Sequence, residues 1–335
     1  MEKKRVFGKM PDGSEVTLYT ISNGYITLQV TDLGATLVSC RIGDRDVALG
    51  YESAEEYLEN AGNMGATVGR YANRISHGRF TLNGIAYQLP CNRPPHCLHG
   101  GEVGFKQKLW RMTEQSDSAI TFCLMSPDGD QGFPGNIMVK ATYALQGMTL
   151  CLTYSAESDA DTICSLANHT YWNLAGHQTG HETLCGHVLM VPSEKRCQVD
   201  EYTVPTGELC PVAGSVFDLR GGVRLGDILG DENLKTTHGL DHPYALQGEW
   251  GKAASAKWND LSMEVWTDAP CMQIYSGNGL PAVPGKDGAQ YGPQVSFCLE
   301  TQQFPDAPNH PEFPSAVLHA GEKKTYRTEY RFVKE

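Results

Sequence analysis

Gly78-Arg79-Phe80-Thr81-Leu82 is followed by Asn83-Gly84 and then by Ile85-Ala86-Tyr87-Gln88-Leu89. Apolar and polar residues alternate on both sides of Asn83-Gly84, as they do in strands with one buried face. Asn-Gly supplies the two positive-φ positions of a type I′ turn, and this turn fixes the register of a two-residue hairpin. The stretch therefore predicts an antiparallel hairpin.

The same alternation recurs along the chain, whereas helical periodicity is scarce. The best helix candidate is Ser53 to Asn60, in which Ser53 is placed to cap the helix and Glu56 follows three residues later. Thirty-six glycines and eighteen prolines separate many short segments. Further predicted strands are Glu15 to Ile21, Tyr25 to Val30, Asn136 to Leu145 and Thr325 to Val333. We predict an all-β fold, a large antiparallel sandwich with few short helices.

No internal repeat or low-complexity tract divides the sequence. The segment most similar to a linker is Leu280 to Pro293, which is rich in Gly and Pro. Strand-like sequence resumes directly after it, at Gln294. We interpret this segment as a loop inside one domain that spans residues 1–335.

The charge balance excludes several classes of partner. The chain has 27 Lys and Arg against 39 Asp and Glu, a formal net charge of −12. Nucleic-acid binders and proteins attracted to anionic membranes concentrate basic side chains, so neither partner is expected. No apolar run approaches the ~20 residues of a membrane span, and the charged residues up to Arg5 are not followed by a signal-peptide stretch. These features predict a cytoplasmic protein.

Eleven cysteines do not indicate a disulfide framework, because the number is odd and no Cys-x-x-Cys pair occurs. Most are expected to be buried, reduced thiols. His177, His181, Cys185 and His187 lie close together in the sequence, but their spacing matches no common zinc pattern. We therefore predict no metal site there.

Four segments concentrate side chains suited to chemistry. Gly69-Arg70-Tyr71-Ala72-Asn73-Arg74-Ile75 presents hydrogen-bond donors, although we interpret Arg70 as a structural residue that binds neighbouring carbonyls. In Leu98-His99-Gly100-Gly101, the glycines allow backbone to approach a ligand closely. Both motifs are weak when taken alone.

The third segment is Asn168-His169-Thr170-Tyr171-Trp172-Asn173-Leu174. As a strand it would display His169, Tyr171 and Asn173 on one face, which suits a sugar, but a polar surface ladder fits equally well. In the fourth segment, Phe297-Cys298-Leu299-Glu300-Thr301-Gln302, a carboxylate interrupts an apolar strand. Such a carboxylate is either paired structurally or retained for function.

Together, these motifs resemble one family, the aldose 1-epimerases or galactose mutarotases. The resemblance covers nearly the whole chain in order. Beyond the four segments, it includes Gly104-Phe105 with Trp110, Ser126-Pro127-Asp128-Gly129, Gly132-Phe133-Pro134-Gly135, Phe217-Asp218-Leu219-Arg220, Gly239-Leu240-Asp241-His242 and Phe304-Pro305-Asp306-Ala307-Pro308.

The resemblance implies a β-supersandwich with a sugar cleft on its concave face. It makes His169 the general acid and Glu300 the general base. The substrate-binding residues that we predict are Asn73, Arg74, His99, Tyr171, Asp241 and Gln273. Tyr171, Tyr244 and Phe304 are the candidate aromatic platforms.

The implied reaction is interconversion of the α and β anomers of free aldohexoses such as galactose and glucose. Removing a proton from the C1 hydroxyl while protonating the ring oxygen requires no metal or redox cofactor. His169 must then be protonated while Glu300 is ionised, which predicts a bell-shaped pH dependence of kcat/KM. We expect a monosaccharide substrate and a monomer or homodimer.

Three alternatives stay open. A non-catalytic carbohydrate-binding protein would not need the acid–base pair. A mutarotase for hexose 6-phosphates would favour additional Arg or Lys around the cleft. A glycosidase would need two suitably spaced carboxylates, for which Glu300 and Asp241 are the candidates.

Overall fold

The computed structural model describes residues 2–59 and 62–335 and consists mainly of strands. Three short α-helices are α1 Ala54–Leu58, α2 His181–Gly186 and α3 Leu225–Ile228. The strands in chain order are β1 Lys4–Lys9, β2 Glu15–Ser22, β3 Ile26–Thr31, β4 Thr36–Ile42, β5 Arg45–Asp46, β6 Thr67–Val68, β7 Arg74–Ile75, β8 Arg79–Leu82, β9 Ile85–Gln88, β10 Cys97–Leu98, β11 Arg111–Gln115, β12 Ala119–Ser126, β13 Ile137–Gln146, β14 Thr149–Ser158, β15 Thr162–Ile163, β16 Ala167–Asn168, β17 Val188–Met190, β18 Lys195–Val199, β19 Pro205–Pro211, β20 Val223–Arg224, β21 Asp241–Ala245, β22 Gly251–Trp258, β23 Leu261–Thr267, β24 Cys271–Tyr275, β25 Val283–Pro284, β26 Gln290–Tyr291, β27 Cys298–Gln302, β28 Val317–Leu318 and β29 Lys323–Lys334.

Three antiparallel sheets form the frame. The largest has nine strands in the order β11-β12-β13-β14-β29-β23-β22-β17-β20. One five-stranded sheet has the order β1-β2-β3-β4-β5, and the other has the order β19-β18-β21-β24-β27. Short two-stranded pairings join the loops between them.

The main hydrophobic core lies between the nine-stranded sheet and the two five-stranded sheets. Its members include Val139 and Leu152 from the large sheet, Leu28 from the first small sheet and Ile274 from the second. Burial alternates strictly along most of β13 and β14, as expected for strands with one face on a core and the other toward solvent. The predicted all-β sandwich is therefore confirmed.

The hairpin around Asn83-Gly84 is confirmed with its register. Phe80 pairs with Tyr87, and Leu82 pairs with Ile85. Asn83 and Gly84 both have positive φ, at 52° and 78°, as the type I′ turn requires. The other four predicted strands coincide with β2, β3, β13 and β29 within about two residues at each end.

The predicted helix is α1. Ser53 caps it through its side chain, and the Glu56 side chain returns to the Ser53 backbone, so the capping box is present. The predicted helix end at Asn60 lies outside the described residues. The predicted loop from Leu280 to Pro293 contains the short pair β25 and β26 with a 3-10 turn at Lys286–Gly288 between them, and it leads into β27.

Within the described part of the chain, no helix has the length and hydrophobicity that a membrane span requires.

Candidate active site

A cavity of about 390 Å³ opens at one face of the sheet that contains β21, β24 and β27. This volume falls in the range of small-molecule sites. The lining includes all eight residues that the sequence nominated, namely Asn73, Arg74, His99, His169, Tyr171, Asp241, Gln273 and Glu300.

Strand pairing brings three of these side chains together. Gln273 on β24 stands directly opposite Glu300 on β27, and Asp241 on β21 stands opposite Tyr275 at the end of β24. Because directly opposed residues share a face, and residues two apart on a strand share it as well, all four side chains point to the same side of the sheet. That side is the floor of the cavity.

His169 follows the short strand β16 and lies over this floor. Its backbone is held on both sides, because its N–H donates to the Ala66 carbonyl and its carbonyl accepts from the Gly65 N–H. Nε2 of His169 lies 3.7 Å from Oε1 of Glu300, and both side chains are buried. Oε2 of Glu300 is buried without a partner among the described residues. An imidazole and a carboxylate thus face each other across one cavity.

Burial favours the neutral form of each partner. It lowers the pKa of His169 to about 4, and the charge of Lys106 acts in the same direction. Burial, together with the nearby charge of Asp241, raises the pKa of Glu300 well above its usual value. Desolvation thus favours neutral His169 and neutral Glu300 in the free site, and it opposes the protonated His169 and ionised Glu300 with which the reaction begins.

His99 and Asn73 form the adjacent wall through left-handed backbone conformations. Their φ angles are 52° and 65°. The Asn73 N–H donates to Nδ1 of His99 at 3.1 Å, and the His99 N–H donates to the Asn73 carbonyl at 3.0 Å. Burial holds the pKa of His99 well below its usual value, and the charges of Lys106 and Arg74 act in the same direction. His99 is therefore a neutral imidazole that carries its proton on Nε2.

Arg74 supplies positive charge among these acids. Burial raises the pKa of Asp241, while Arg74 and a hydrogen bond from Gln273 oppose that rise. The charge of Arg74 likewise opposes the raised pKa of Glu300. The cavity therefore offers donors, acceptors and an acid–base pair around a space for one small polar molecule.

Comparison with known proteins identifies this arrangement. The Aldose 1-epimerase family model matches residues 17–331. The chain is 38% identical to the galactose mutarotase of Mus musculus over 98% of each chain. It is 36% identical to the aldose 1-epimerase of Escherichia coli (strain K12) over 97% of each chain.

The chain belongs to the aldose 1-epimerase family. It is an isomerase that interconverts the anomers of an aldose at C1. A solved structure of galactose 1-epimerase from Lactobacillus acidophilus shares the fold with a TM-score of 0.87 and 28% identity. That comparison covers 99% of this chain and 98% of the other.

Only one of the three candidate aromatic platforms lines the cavity of this epimerase. Tyr171 lies there with its ring stacked 5.1 Å from that of His169. Tyr244 is buried and donates its hydroxyl to the Phe217 carbonyl, and Phe304 packs in a separate apolar cluster. Neither of these two side chains lines the cavity, because each is held in a core.

The third motif of the epimerase is not a regular strand beyond Asn168, since only isolated bridges at Trp172 continue the pairing. His169 and Tyr171 share the cavity, but Asn173 does not. The Asn173 amide is buried and donates to the Val295 carbonyl and the Thr183 hydroxyl. These two hydrogen bonds hold the Asn173 side chain outside the cavity.

Arg70 binds carbonyl groups, as the sequence predicted. Its guanidinium donates to the carbonyls of Ser126, Pro127, Pro134 and Gly135. It therefore ties the loop after β12 to the loop that carries Asn73 and Arg74.

The sequence did not nominate several residues around the pair. Tyr275 lines the cavity, and its ring centroid lies 6.2 Å from that of His169. Nζ of Lys106 donates to Oδ1 of Asn63, another lining residue, at 2.6 Å. Sγ of Cys298 lies 3.6 Å from Nδ1 of His169. Tyr275 and Cys298 carry a signal in the sequence, because each lies two positions from a nominated strand residue.

The side chains considered above as possible zinc ligands form hydrogen bonds within the protein. His177 bonds Tyr291 and Asp287, whereas the two ring nitrogens of His187 bond the Leu174 N–H and the Thr183 carbonyl. Across residues 2–59 and 62–335, no group of three or more His, Cys, Asp or Glu side chains is arranged to hold a metal ion.

Proposed function

We propose that the enzyme acts on free aldohexoses, galactose and glucose among them, with His169 as general acid and Glu300 as general base. The observation that carries this proposal is the 3.7 Å approach of His169 Nε2 to Glu300 Oε1 inside the cavity. Two groups at this separation can each reach one of two neighbouring oxygens on a single sugar ring. The relatives named galactose mutarotase support the choice of sugar.

Each half of the reaction moves two protons. Glu300 removes the proton of the C1 hydroxyl while His169 protonates the ring oxygen, so the ring opens to the aldehyde. After rotation about C1–C2, Glu300 returns a proton to the aldehyde oxygen, and His169 accepts the proton of the attacking hydroxyl. The pair thus starts as imidazolium and carboxylate and becomes neutral when the ring is open.

The electrostatics of the free site bear on this cycle. Burial favours the neutral pair, which is the protonation state that accompanies the open-chain aldehyde. Arg74 opposes this preference by favouring the ionised form of Glu300. Burial therefore favours the step that neutralises the pair, which is ring opening, whereas the charge of Arg74 favours the ionised Glu300 that ring closure restores.

We assign sugar binding to the six other nominated residues that line the cavity. Arg74 and the Nε2–H of His99 donate hydrogen bonds, Asp241 accepts them, and Asn73 and Gln273 can do either. The ring of Tyr171 offers an apolar face to sugar C–H groups. This combination of hydrogen-bond donors, acceptors and one apolar ring suits a neutral polyhydroxyl ligand.

Two variants test the acid–base assignment. Polarimetry of freshly dissolved α-D-galactose and α-D-glucose should show fast anomerisation with the wild type, and turnover reduced by about 10²–10⁴ with either His169→Asn or Glu300→Gln. Calorimetric titration with galactose should detect binding by both variants. Near-normal turnover in either variant would overturn its assigned role.

The same experiments separate the alternatives. A carbohydrate-binding protein would bind galactose without accelerating anomerisation. A hexose-6-phosphate mutarotase would prefer the phosphorylated sugar, yet the described lining has two arginines, Arg74 and Arg93, against three acids, Glu201, Asp241 and Glu300. No observation favours either alternative over the proposed function.

We also propose a cytoplasmic location and a single domain spanning 1–335. All eleven cysteines are unpaired thiols in the structure, which supports a reducing compartment. The expected monomer or homodimer, with no nucleic-acid or membrane partner, stays a prediction.

A further inference from the structure

The cavity extends from the acid–base pair along strand β10. His99 follows β10 at one end, and its ring centroid lies 5.3 Å from that of His169. His96 precedes β10 at the other end, and its ring centroid lies 5.2 Å from that of Tyr202. All four residues line the cavity. The lining therefore leads from His169 to Tyr202, which lies at the end remote from the pair.

Tyr202 is carried by a closed turn. The Asp200 carboxylate accepts the N–H groups of Tyr202 and Val204, each at 2.9 Å. The Asp200 N–H donates to the Val204 carbonyl at 2.9 Å, and the Thr203 N–H donates to the Asp200 carbonyl at 3.0 Å. Four hydrogen bonds thus fix the backbone that holds the aromatic ring.

His96 supports the Tyr202 ring from the protein side. His96 is buried, and its Nδ1 accepts the His77 N–H at 3.2 Å. Tyr202 itself is 49% exposed. Its ring therefore packs against a fixed imidazole and leaves about half of the residue accessible. An accessible aromatic ring in a fixed position is a surface on which the C–H groups of a sugar can pack.

A second cavity, of about 470 Å³, continues from this end of the first. The two cavities share Glu201, Thr236 and Thr237. Further polar side chains line the second cavity, among them Gln198, Asp200 and Asn233. Hydroxyl, amide and carboxylate groups together supply hydrogen-bond donors and acceptors. The molecule therefore offers space and polar groups beyond the part of the cavity that surrounds the acid–base pair.

The proposed mechanism sets which end of the sugar points toward Tyr202. Glu300 and His169 act on the C1 hydroxyl and the ring oxygen, so C1 lies beside the pair. C4 lies directly across the pyranose ring from C1. In glucose the C4 hydroxyl is equatorial and points away from C1, toward the remote end of the cavity.

We propose that Tyr202 is the platform of an outer subsite, which binds a second pyranose joined to the reacting glucose through O4. This inference rests on the proposed function, because the acid–base pair orients the reacting ring. The substrates then include 4-O-glycosyl glucoses such as maltose, and maltose binds more tightly than glucose. Arg93 and Glu201, which carry opposite charges, also line this part of the cavity. A neutral second sugar therefore fits better than an anionic substituent.

The competing interpretation is that Tyr202 only shields His96 from solvent. Tyr202→Ala removes the ring, whereas Tyr202→Phe keeps it. Tyr25→Ala is a matched control, because Tyr25 is 62% exposed and lines neither cavity. Isomaltose is a matched control ligand, since its two glucose rings are joined through O6 instead of O4.

Calorimetric titration with glucose, maltose and isomaltose tests the subsite. The wild type should bind maltose about 3–10-fold more tightly than glucose, which is the gain expected from one aromatic contact. Isomaltose should bind no more tightly than glucose. Tyr202→Phe and Tyr25→Ala should keep the wild-type ratio of the two Kd values for glucose and maltose, whereas Tyr202→Ala should reduce this ratio to about 1. The KM values for glucose and maltose, from polarimetry of freshly dissolved single anomers, should follow the same order.

The inference is overturned if the wild type binds maltose no more tightly than glucose, or if Tyr202→Ala keeps the wild-type ratio. An equal gain for isomaltose would also overturn it, because the second ring would then not depend on O4. Failure of the proposed function would instead appear as unaccelerated anomerisation of glucose, and the calorimetric ratio would still report whether Tyr202 binds a second ring.

Discussion

Nε2 of Gln273 donates a 2.6 Å hydrogen bond to Oδ1 of Asp241. Gln273 also stands opposite Glu300 on the neighbouring strand. The Gln273 amide therefore has the carboxyl of Asp241 on one side and that of Glu300 on the other. Glu300 is buried and Asp241 is half-buried, and the charge of Asp241 raises the pKa of Glu300. Asp241 therefore acts on the proposed base electrostatically as well as through any contact with the sugar.

The first prediction concerns this coupling. Asp241→Asn keeps a hydrogen-bond acceptor but removes the negative charge, so the pKa of Glu300 should fall. We expect the alkaline limb of the kcat/KM profile to move to lower pH, and KM for galactose to rise because a charged acceptor is lost. Stopped-flow polarimetry over a pH series measures both effects. An unmoved alkaline limb would show that Asp241 and Glu300 titrate independently.

A second prediction assigns the limbs of the wild-type profile. The reaction requires one proton on the pair, and kcat/KM reports the free enzyme. The pair takes up a second proton only near the lowered pKa of His169, about 4. Activity should therefore be lost below about pH 4, and not already below pH 6.5, the usual pKa of a histidine. The alkaline limb then belongs to Glu300, whose pKa is raised. An acid limb near 6.5 would mean that His169 titrates as an exposed imidazole. Circular dichroism at each pH controls for unfolding.

The third prediction concerns stability. The pKa of Glu300 is raised in the folded state above the usual 4.5, so its contribution to stability is complete below about pH 4.5 and is lost as the pH rises toward the folded value. Glu300→Gln removes this dependence. Urea unfolding at pH 5 and pH 8 should show a relative gain for the variant at pH 8, about 1.4 kcal/mol for each pH unit of this window in which the folded carboxyl stays protonated. Equal differences at the two pH values would contradict the raised pKa.

Local rules account for the elements that the sequence predicted correctly. Asn83-Gly84 fixes its hairpin because two positive-φ positions leave one register, and Ser53 with Glu56 fixes the start of α1 because both side chains bond the first turn. Neither feature depends on distant parts of the chain. The overall strand order does, since β29 from the end of the chain lies between β14 and β23.

The site was predicted by resemblance, and its electrostatics were not. Strand alternation could also have identified Tyr275 and Cys298, which lie two positions from Gln273 and Glu300. The protonation of His169 could not be read from the sequence, because it depends on how deeply loops and strands from distant segments bury the ring. The position of Asn173 outside the cavity has a similar origin, because its amide binds the carbonyl of Val295, a residue distant in the sequence.

A last prediction tests a contact that no sequence pattern indicated. Nζ of Lys286 lies 2.7 Å from Oδ2 of Asp46, with both side chains buried, and it anchors the loop after Leu280 to the first five-stranded sheet. Lys286→Met leaves the Asp46 charge buried and unpaired, which should cost about 3–5 kcal/mol in urea unfolding. Adding Asp46→Asn should recover part of this loss, because it removes the stranded charge. Lys235→Met, which breaks an exposed pair with Glu232, should cost at most about 1 kcal/mol. Equal costs for the two lysine variants would mean that the buried pair does not hold the loop.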